Sequence, residues 1–407
     1  MSLSSPFKGV FLLRIYFLSL WFTKPILHFS QAKIRLETFS WVLLLLFVLQ
    51  NSVIISSNWK RSYRLRSINF FYICWIALNL FSSIYLAFVP TKSLWLLSQI
   101  IVGSFSFYLI YKIPYKDFLI GILNTTVFPL YFVYALAFLI HVTGLSPSGF
   151  GLISAGNRLT GFSYESNILG SETLFWLATI YQKRDRLLKW KRLSFASLSI
   201  VIVGTGTRAA IVSLIFLGIY HYIYKLRSSK NSGISIFFVV VSLMLLASST
   251  IIGVIQQGNT SNNIGRLTNG FDLNSGTGAY RLAVYKIAIS DIKSASGSVQ
   301  LFGHGTNSFA QLHPLDISKV ETGYLSDLWL EVLYDSGLFG LISFILLLIL
   351  AIRRTRKSEK NSIVFWISLI FCATTTSMLW FSYTWVTIAF LAFNDDPPEI
   401  LNSKIIK

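Results

Sequence analysis

The sequence predicts an all-α polytopic membrane protein with about 11–12 transmembrane helices and one large extracytoplasmic loop containing short helices. Composition supports this class, because 54% of the 407 residues are hydrophobic and only 13% are charged. Uncharged runs such as 39–57 and 233–255 have about the ~20 residues that a helix needs to cross a bilayer. Many such runs require a helical bundle, since backbone polar groups that face lipid must be satisfied within each helix.

The basic residues fix the orientation of the chain. The net charge is +19, and twenty of the 35 Lys and Arg residues fall in five short loops between hydrophobic runs, at 60–66, 112–116, 183–192, 225–230 and 353–360. This clustering is typical of cytoplasmic loops. Hydrophobic runs separate the basic loops from one another. The pattern therefore excludes a nucleic-acid partner.

The predicted spans follow from these runs and loops. In residue numbers they are 7–22, 39–57, 69–89, 93–111, 118–142, 168–182, 193–204, 208–224, 233–255, 337–352, 362–378 and 380–393. Twelve spans place both termini inside. A first span would leave Lys24, Lys33 and Arg35 outside, against the charge rule. The alternative is that residues 1–38 lie on the membrane surface, which gives eleven spans.

Three regions follow from this topology. Residues 1–255 form an N-terminal transmembrane bundle with an outer segment at 144–167, residues 256–336 form a large extracytoplasmic catalytic loop, and residues 337–407 form C-terminal transmembrane helices and a tail. The polar loop is where chemistry could be housed. No internal repeat is visible, which argues against the duplicated transporter folds.

Each outward-facing segment carries an arginine, and these are Arg158, Arg208 and Arg281. Arg208 follows Gly204 and Gly206 at the head of a span. There a planar, permanently charged fork beside the exposed amides of a helix N-terminus would bind phosphate. The alternative for Arg208 is a side chain that snorkels to the interface. For Arg281 the alternative is the exposed face of an amphipathic helix.

The outer loop also holds candidate general bases. His304 and His313 could each accept a proton near neutral pH, although a loop histidine is more often simply exposed. Asp327, Glu331 and Asp335 recur every four residues, which indicates either a solvated helical face or a base at Asp327. Neither metal-ligand spacings nor cofactor fingerprints occur, and Cys74 and Cys372 lie in apolar runs. The sequence therefore predicts no metal and no cofactor.

Three patches together resemble the O-antigen ligase and O-antigen polymerase superfamily of bacterial envelope polysaccharide assembly. They are TGTRAAIVSL around Arg208, YRLAVYKIAI followed by LFGHGTNSF, and SDLWLEVLYDSGLFG. A weaker match is GFSYESNILG, which contains Asn167. This chain has Ser326 and Asp327 where ligases carry a His-Asn pair. That departure favours the polymerase branch.

The resemblance implies a metal-independent glycosyltransferase at the outer face of the bacterial inner (plasma) membrane. It would transfer glycan from undecaprenyl pyrophosphate to a lipid-linked repeat unit, with a flippase and a chain-length regulator as further partners. The alternatives are a ligase that passes polymer to lipid A core, and a flippase or other transporter. The resemblance assigns pyrophosphate binding to Arg158, Arg208 and Arg281, and the general base to Asp327, with His304, His313 and Glu321 as alternates.

Overall fold

A computed structural model describes residues 7–29, 32–56, 66–113, 116–146, 149–154, 157–163, 165–182, 191–228, 276–313, 325–358 and 378–392, with positions 366, 370, 372–373 and 376. The described part is almost entirely helical, which confirms the predicted fold class. One short antiparallel hairpin, β1 (Pro25–Phe29) and β2 (Ala32–Arg35), joins the first two helices.

The helices follow the predicted spans closely where both can be compared. In chain order they are α1 (Val10–Ser19), α2 (Leu36–Gln50), α3 (Ser52–Ser56), α4 (Arg66–Tyr85), α5 (Pro90–Lys112), α6 (Lys116–Val142), α7 (Ser166–Gln182), α8 (Lys191–Thr205), α9 (Arg208–Ser228), α10 (Gly276–Ser294), α11 (Gly297–Phe302), α12 (Ser308–Leu312), α13 (Leu328–Ser358) and α14 (Ser382–Ala392). The predicted span 233–255 and most of 362–378 lie outside the described residues.

Within the described ranges, 4 helices are long and apolar enough to cross a membrane. Their apolar segments are Ser67–Tyr85, Pro90–Tyr111, Phe118–Val142 and Leu328–Arg353. Shorter apolar helices occur at Val10–Ser19, Phe39–Gln50, Arg192–Thr205 and Ala209–Ile219. The helices pack in pairs, with α13 along α4, α14 along α5, and α8 between α6 and α7.

The first helix is packed into the bundle. Tyr16 and Phe17 on α1 are fully buried, and Trp21 meets Tyr131 of α6 edge-on with ring centroids 4.0 Å apart. The backbone N–H of Lys24 donates to the carbonyl of Phe162 at 3.2 Å. This contact places the hairpin on the same side as segment 144–167. Helix α1 is therefore part of the packed bundle, and with 10 residues it is one of the shorter apolar helices.

A second, smaller hydrophobic cluster holds helices α10 and α12 against the start of α13. Its members are Val284, Ala288, Phe309, Leu325 and Tyr334. Helix α12 is also tied to the loop between α4 and α5, since the side-chain oxygen of Gln311 accepts the backbone N–H of Val89 at 2.9 Å. The loop elements are therefore fixed relative to the bundle by both apolar and polar contacts.

Helix α13 changes direction at Gly337, whose φ of 67° and ψ of −169° are not helical. The Gly-x-Gly loop at 303–305 lies against this break. His304 N–H donates to the carbonyl of Tyr334 at 2.8 Å, and Gly305 N–H donates to that of Asp335 at 3.0 Å. A Cβ on Gly337 would lie 2.4 Å from the backbone of Leu301. Glycine is required at 337 because the chain has positive φ and two backbones meet there.

Candidate functional site

Arg158 lies against the glycine turn between α8 and α9. Its Nε donates to the carbonyl of Thr205 at 2.7 Å, and its Nη2 donates to Oδ1 of Asn167 at 2.8 Å. The neighbouring backbone also contacts this turn, since Leu159 N–H donates to the carbonyl of Gly204 at 2.9 Å. The two outer segments that the sequence placed apart therefore form one surface.

The turn itself presents the N-terminus of α9. Gly206 has a φ of 59°, and Thr207 Oγ1 donates to the carbonyl of Ser166 at 3.0 Å, which ties the turn to the start of α7. Arg208 is the first residue of α9, while its side chain lies outside the described residues. The amides of a helix N-terminus carry partial positive charge, so this turn and Arg158 together favour an anion.

Arg281 lies close enough to Asp327 for its charge to act on the Asp327 carboxyl. Oδ1 of Asp327 accepts the backbone N–H of Leu330 at 2.8 Å, which makes Asp327 the N-cap of α13. Partial burial raises the pKa of the Asp327 carboxyl, while the amides of Leu330 and Trp329 and the charge of Arg281 act in the opposite direction. Asp327 therefore caps the N-terminus of α13 and is also influenced by the positive charge of Arg281.

Asp291 on α10 gathers a cluster of ionisable side chains. Its Oδ2 lies 2.6 Å from Nε2 of His313 and accepts the hydroxyl of Tyr334 at 2.9 Å. The ring of His304 stacks on Tyr334 with centroids 4.2 Å apart and planes 14° apart. Burial lowers the pKa of His304, partly opposed by a hydrogen bond to the Tyr334 backbone and by the charge of Asp291.

Glu331 and Asp335 are buried, so the interpretation of a solvated helical face is wrong for these two positions. They are 4% and 5% exposed. Oδ2 of Asp335 accepts the backbone N–H of Asn307 at 2.9 Å, and Oε1 of Glu331 accepts the indole N–H of Trp380 at 2.9 Å. The two acids therefore hold the Gly-x-Gly loop and the segment before α14 in place.

The predicted site residues thus fall into three groups in the structure. Arg158 contacts the turn that precedes Arg208. The charge of Arg281 acts on Asp327, and that of His313 acts on His304. Glu321 lies outside the described residues. In the part of the chain that the structure describes, no group of three or more His, Cys, Asp or Glu side chains could hold a metal ion.

Sequence reasoning missed Asp291. It lies in the run IAISDIKS, where no motif marks it. The only available signal was helical spacing, because Asp291 follows the buried Ala288 by three residues on α10. Its partners His313 and Tyr334 are 22 and 43 residues away in sequence.

Residues 193–345 match the family model described as O-antigen ligase. The matched residues run from α8 to α13, which confirms the predicted resemblance to the O-antigen ligase and polymerase superfamily. No curated protein matches the chain.

The residues that match the O-antigen ligase model include Arg208, Arg281, both loop histidines and Asp327. Arg158 precedes the matched residues but contacts Thr205 within them. The match indicates ligase- or polymerase-type function, that is, a glycosyltransferase-like enzyme of envelope polysaccharide assembly. Together with the apolar helices, it indicates a membrane protein.

Proposed function

We propose that the protein is a polysaccharide polymerase of the bacterial plasma membrane. It transfers glycan from undecaprenyl pyrophosphate to a lipid-linked repeat unit at the outer face. The observation that carries the proposal is the contact of Arg158 with the turn before α9, and this turn lies within the residues that match the O-antigen ligase model. The turn combines a guanidinium with helix N-terminal amides, which suits a pyrophosphate group.

The proposed chemistry is a displacement at the anomeric carbon of the donor sugar. The oxygen of the acceptor hydroxyl bonds to that carbon, and the bond between the carbon and the pyrophosphate oxygen breaks. The electron pair of that bond leaves with undecaprenyl pyrophosphate, on which negative charge grows. A well-placed donor to such a charge lowers the barrier by about 3 kcal/mol. Arg158, Arg208 and Arg281 are the proposed donors.

The hydroxyl proton must pass to a base on the acceptor side. The side chains proposed from the sequence are Asp327, His304, His313 and Glu321. Of these, Asp327 lies next to Arg281, while the two histidines lie near Asp291. All the described candidates therefore belong to the extracytoplasmic elements held by the second hydrophobic cluster.

The polymerase is favoured over the ligase by residues 326–327. Ser326 and Asp327 stand where ligases of this superfamily carry a His-Asn pair, and Asp327 is occupied as the N-cap of α13. A ligase-type histidine is therefore absent from the start of this helix. The polymerase branch is the one in which this position varies.

The proposal is tested on the surface polysaccharide of cells that lack the gene. The cells are complemented with wild type, Arg158→Ala or the control Arg192→Ala, which changes an exposed arginine of α8 far along the helix from the turn. A deletion that leaves a single repeat unit, restored to a ladder by wild type and Arg192→Ala but not by Arg158→Ala, supports the polymerase. Unattached full-length polymer would identify a ligase, and lipid-linked units trapped on the inner face a flippase.

A further inference from the structure

The Asp291 carboxylate lies between a histidine and a tyrosine contributed by other elements. His313 follows α12, Tyr334 belongs to α13, and both reach the same oxygen, Oδ2, at 2.6 Å and 2.9 Å. The side chains of His313 and Asp291 are 33% and 25% exposed, so a substrate hydroxyl can approach them. Asp291, His313 and Tyr334 therefore come from three segments that are distant from one another in the sequence.

The Asp291 carboxylate determines which ring nitrogen of His313 carries the proton. An ionised carboxylate only accepts hydrogen bonds, so the proton on the ring of His313 resides on Nε2, which faces Asp291. Nδ1 then carries the lone pair and can accept a proton. When it does, the imidazolium keeps its Nε2–H on the carboxylate, which stabilises the new charge.

Tyr334 and Phe309 restrict the geometry of the pair. The Tyr334 hydroxyl holds the Asp291 carboxylate, and the ring of Phe309 lies 5.0 Å from that of His313 and 5.4 Å from that of Tyr334. Both aromatic residues belong to the second hydrophobic cluster. A base held in this way keeps its orientation between turnovers, which is what positioning partners contribute.

The other described candidates have competing roles. Asp327 gives one oxygen to the N-terminus of α13 and lies within the influence of Arg281. Of the two described loop histidines, His304 stacks on Tyr334, and its Nδ1 faces the Tyr334 carbonyl at 3.4 Å. His313 is the one of these two with a carboxylate at hydrogen-bond distance.

We infer that His313 is the general base of the transfer and that Asp291 is its positioning residue. The inference rests on the proposed polymerase function. The acceptor hydroxyl gives its proton to Nδ1 of His313 as its oxygen bonds to the anomeric carbon and undecaprenyl pyrophosphate departs. The imidazolium then releases the proton to water. Arg281 and Asp291 are ten residues apart on α10, about 15 Å along the axis, which leaves room for a sugar between them.

The test uses the purified full-length protein with lipid-linked repeat units. His313→Gly removes the base, and turnover is expected to fall by a factor on the order of 10²–10⁴ with little change in KM. Substituted imidazoles added to this variant should restore turnover, with a rate that rises with their basicity. Asp291→Asn should lower kcat by about tenfold to a hundredfold at unchanged KM. Lys286→Gln, which alters an exposed residue of the same helix, should leave turnover unchanged.

The outcomes separate the inference from the proposed function. Wild-type protein that makes no polymer from lipid-linked units overturns the function itself. An active wild type whose His313→Gly variant keeps its turnover, or is rescued equally by imidazoles of all basicities or by none, overturns the inference alone. If His313→Gly does not fold, Asp291→Asn decides: wild-type kcat overturns the inference, whereas a lower kcat with unchanged melting temperature and KM supports it.

Discussion

Arg158 donates from Nη2 to Oδ1 of Asn167 at 2.8 Å, which joins the loop before α7 to the first turn of that helix. The same guanidinium donates from Nε to the carbonyl of Thr205. Two hydrogen bonds from one planar group fix its orientation, so its charge stays beside the N-terminus of α9. Function at this turn should therefore depend on the shape of the side chain as well as its charge.

Arg158→Ala should lower polymerase turnover by about a hundredfold, because a donor to the departing pyrophosphate is lost. Arg158→Lys should recover only part of this loss, since an ammonium cannot donate to the Thr205 carbonyl and to Asn167 with the same geometry. Turnover of lipid-linked repeat units measures both variants, with Arg192→Ala as the matched control. A lysine variant with wild-type turnover would show that the fork geometry is unimportant.

Asn167→Ala should reduce turnover through Arg158, because it removes one of the acceptors that hold the guanidinium. A hydrogen bond to a charged group contributes about 1.5–3 kcal/mol, so the loss should be at least about tenfold. In the Arg158→Ala background the same change should have little further effect. Losses that add in the double variant would mean that the two residues act independently.

The membrane bundle could be predicted from the sequence because bilayer thickness and basic loops define it. The predicted spans 93–111 and 118–142 differ from α5 (Pro90–Lys112) and α6 (Lys116–Val142) by no more than a few residues. The position and contacts of Arg35 could not be predicted from bilayer thickness and basic loops. It forms an ion pair with Glu37, and its Nη2 donates to the carbonyl of Trp380, 345 residues away.

The candidate site was partly predictable for a similar reason. Topology alone placed Arg158 and Arg208 on one face, and the structure adds their common turn. Asp291 was not predictable, because its role depends on contacts with His313 and Tyr334 that no local pattern encodes. The burial of Asp335 likewise depends on the approach of the Gly-x-Gly loop, a tertiary contact across about 30 residues.

Gly337→Ala should destabilise the protein. The residue has a φ of 67°, and the added Cβ would lie 2.4 Å from the backbone of Leu301. Backbone strain of this kind costs about 1–3 kcal/mol before the steric clash is counted. The melting temperature of the purified protein measures the effect. Gly218→Ala on α9, where a Cβ has nothing within 4 Å, should leave the melting temperature unchanged or raise it. Equal effects of the two changes would contradict this account of Gly337.

His304 should make the protein less stable as the pH falls. Burial lowers its pKa below the ordinary value of 6.5, so below that value the unfolded chain binds more protons than the folded one. The melting temperature should therefore drop as the pH falls through and below the ordinary histidine pKa of about 6.5. His304→Phe keeps the stacking on Tyr334 but cannot titrate, and its melting temperature should depend less on pH. Identical pH dependence in the two proteins would mean that other groups dominate.

Arg35→Met should strongly destabilise the bundle. Nη1 of Arg35 lies 3.3 Å from Oε1 of Glu37, and the two side chains are 9% and 1% exposed. Loss of the arginine leaves the carboxylate buried without its counter-charge, which costs about 3–5 kcal/mol. Arg35→Met with Glu37→Leu removes both charges and should be less destabilised than Arg35→Met alone. Some loss should remain, because Arg35 also donates to Gln99, and Glu37 also accepts the backbone N–H of Ser382. Melting temperatures of the three proteins decide the matter. A double variant less stable than Arg35→Met would show that Glu37 is stabilised by its other contacts rather than by Arg35.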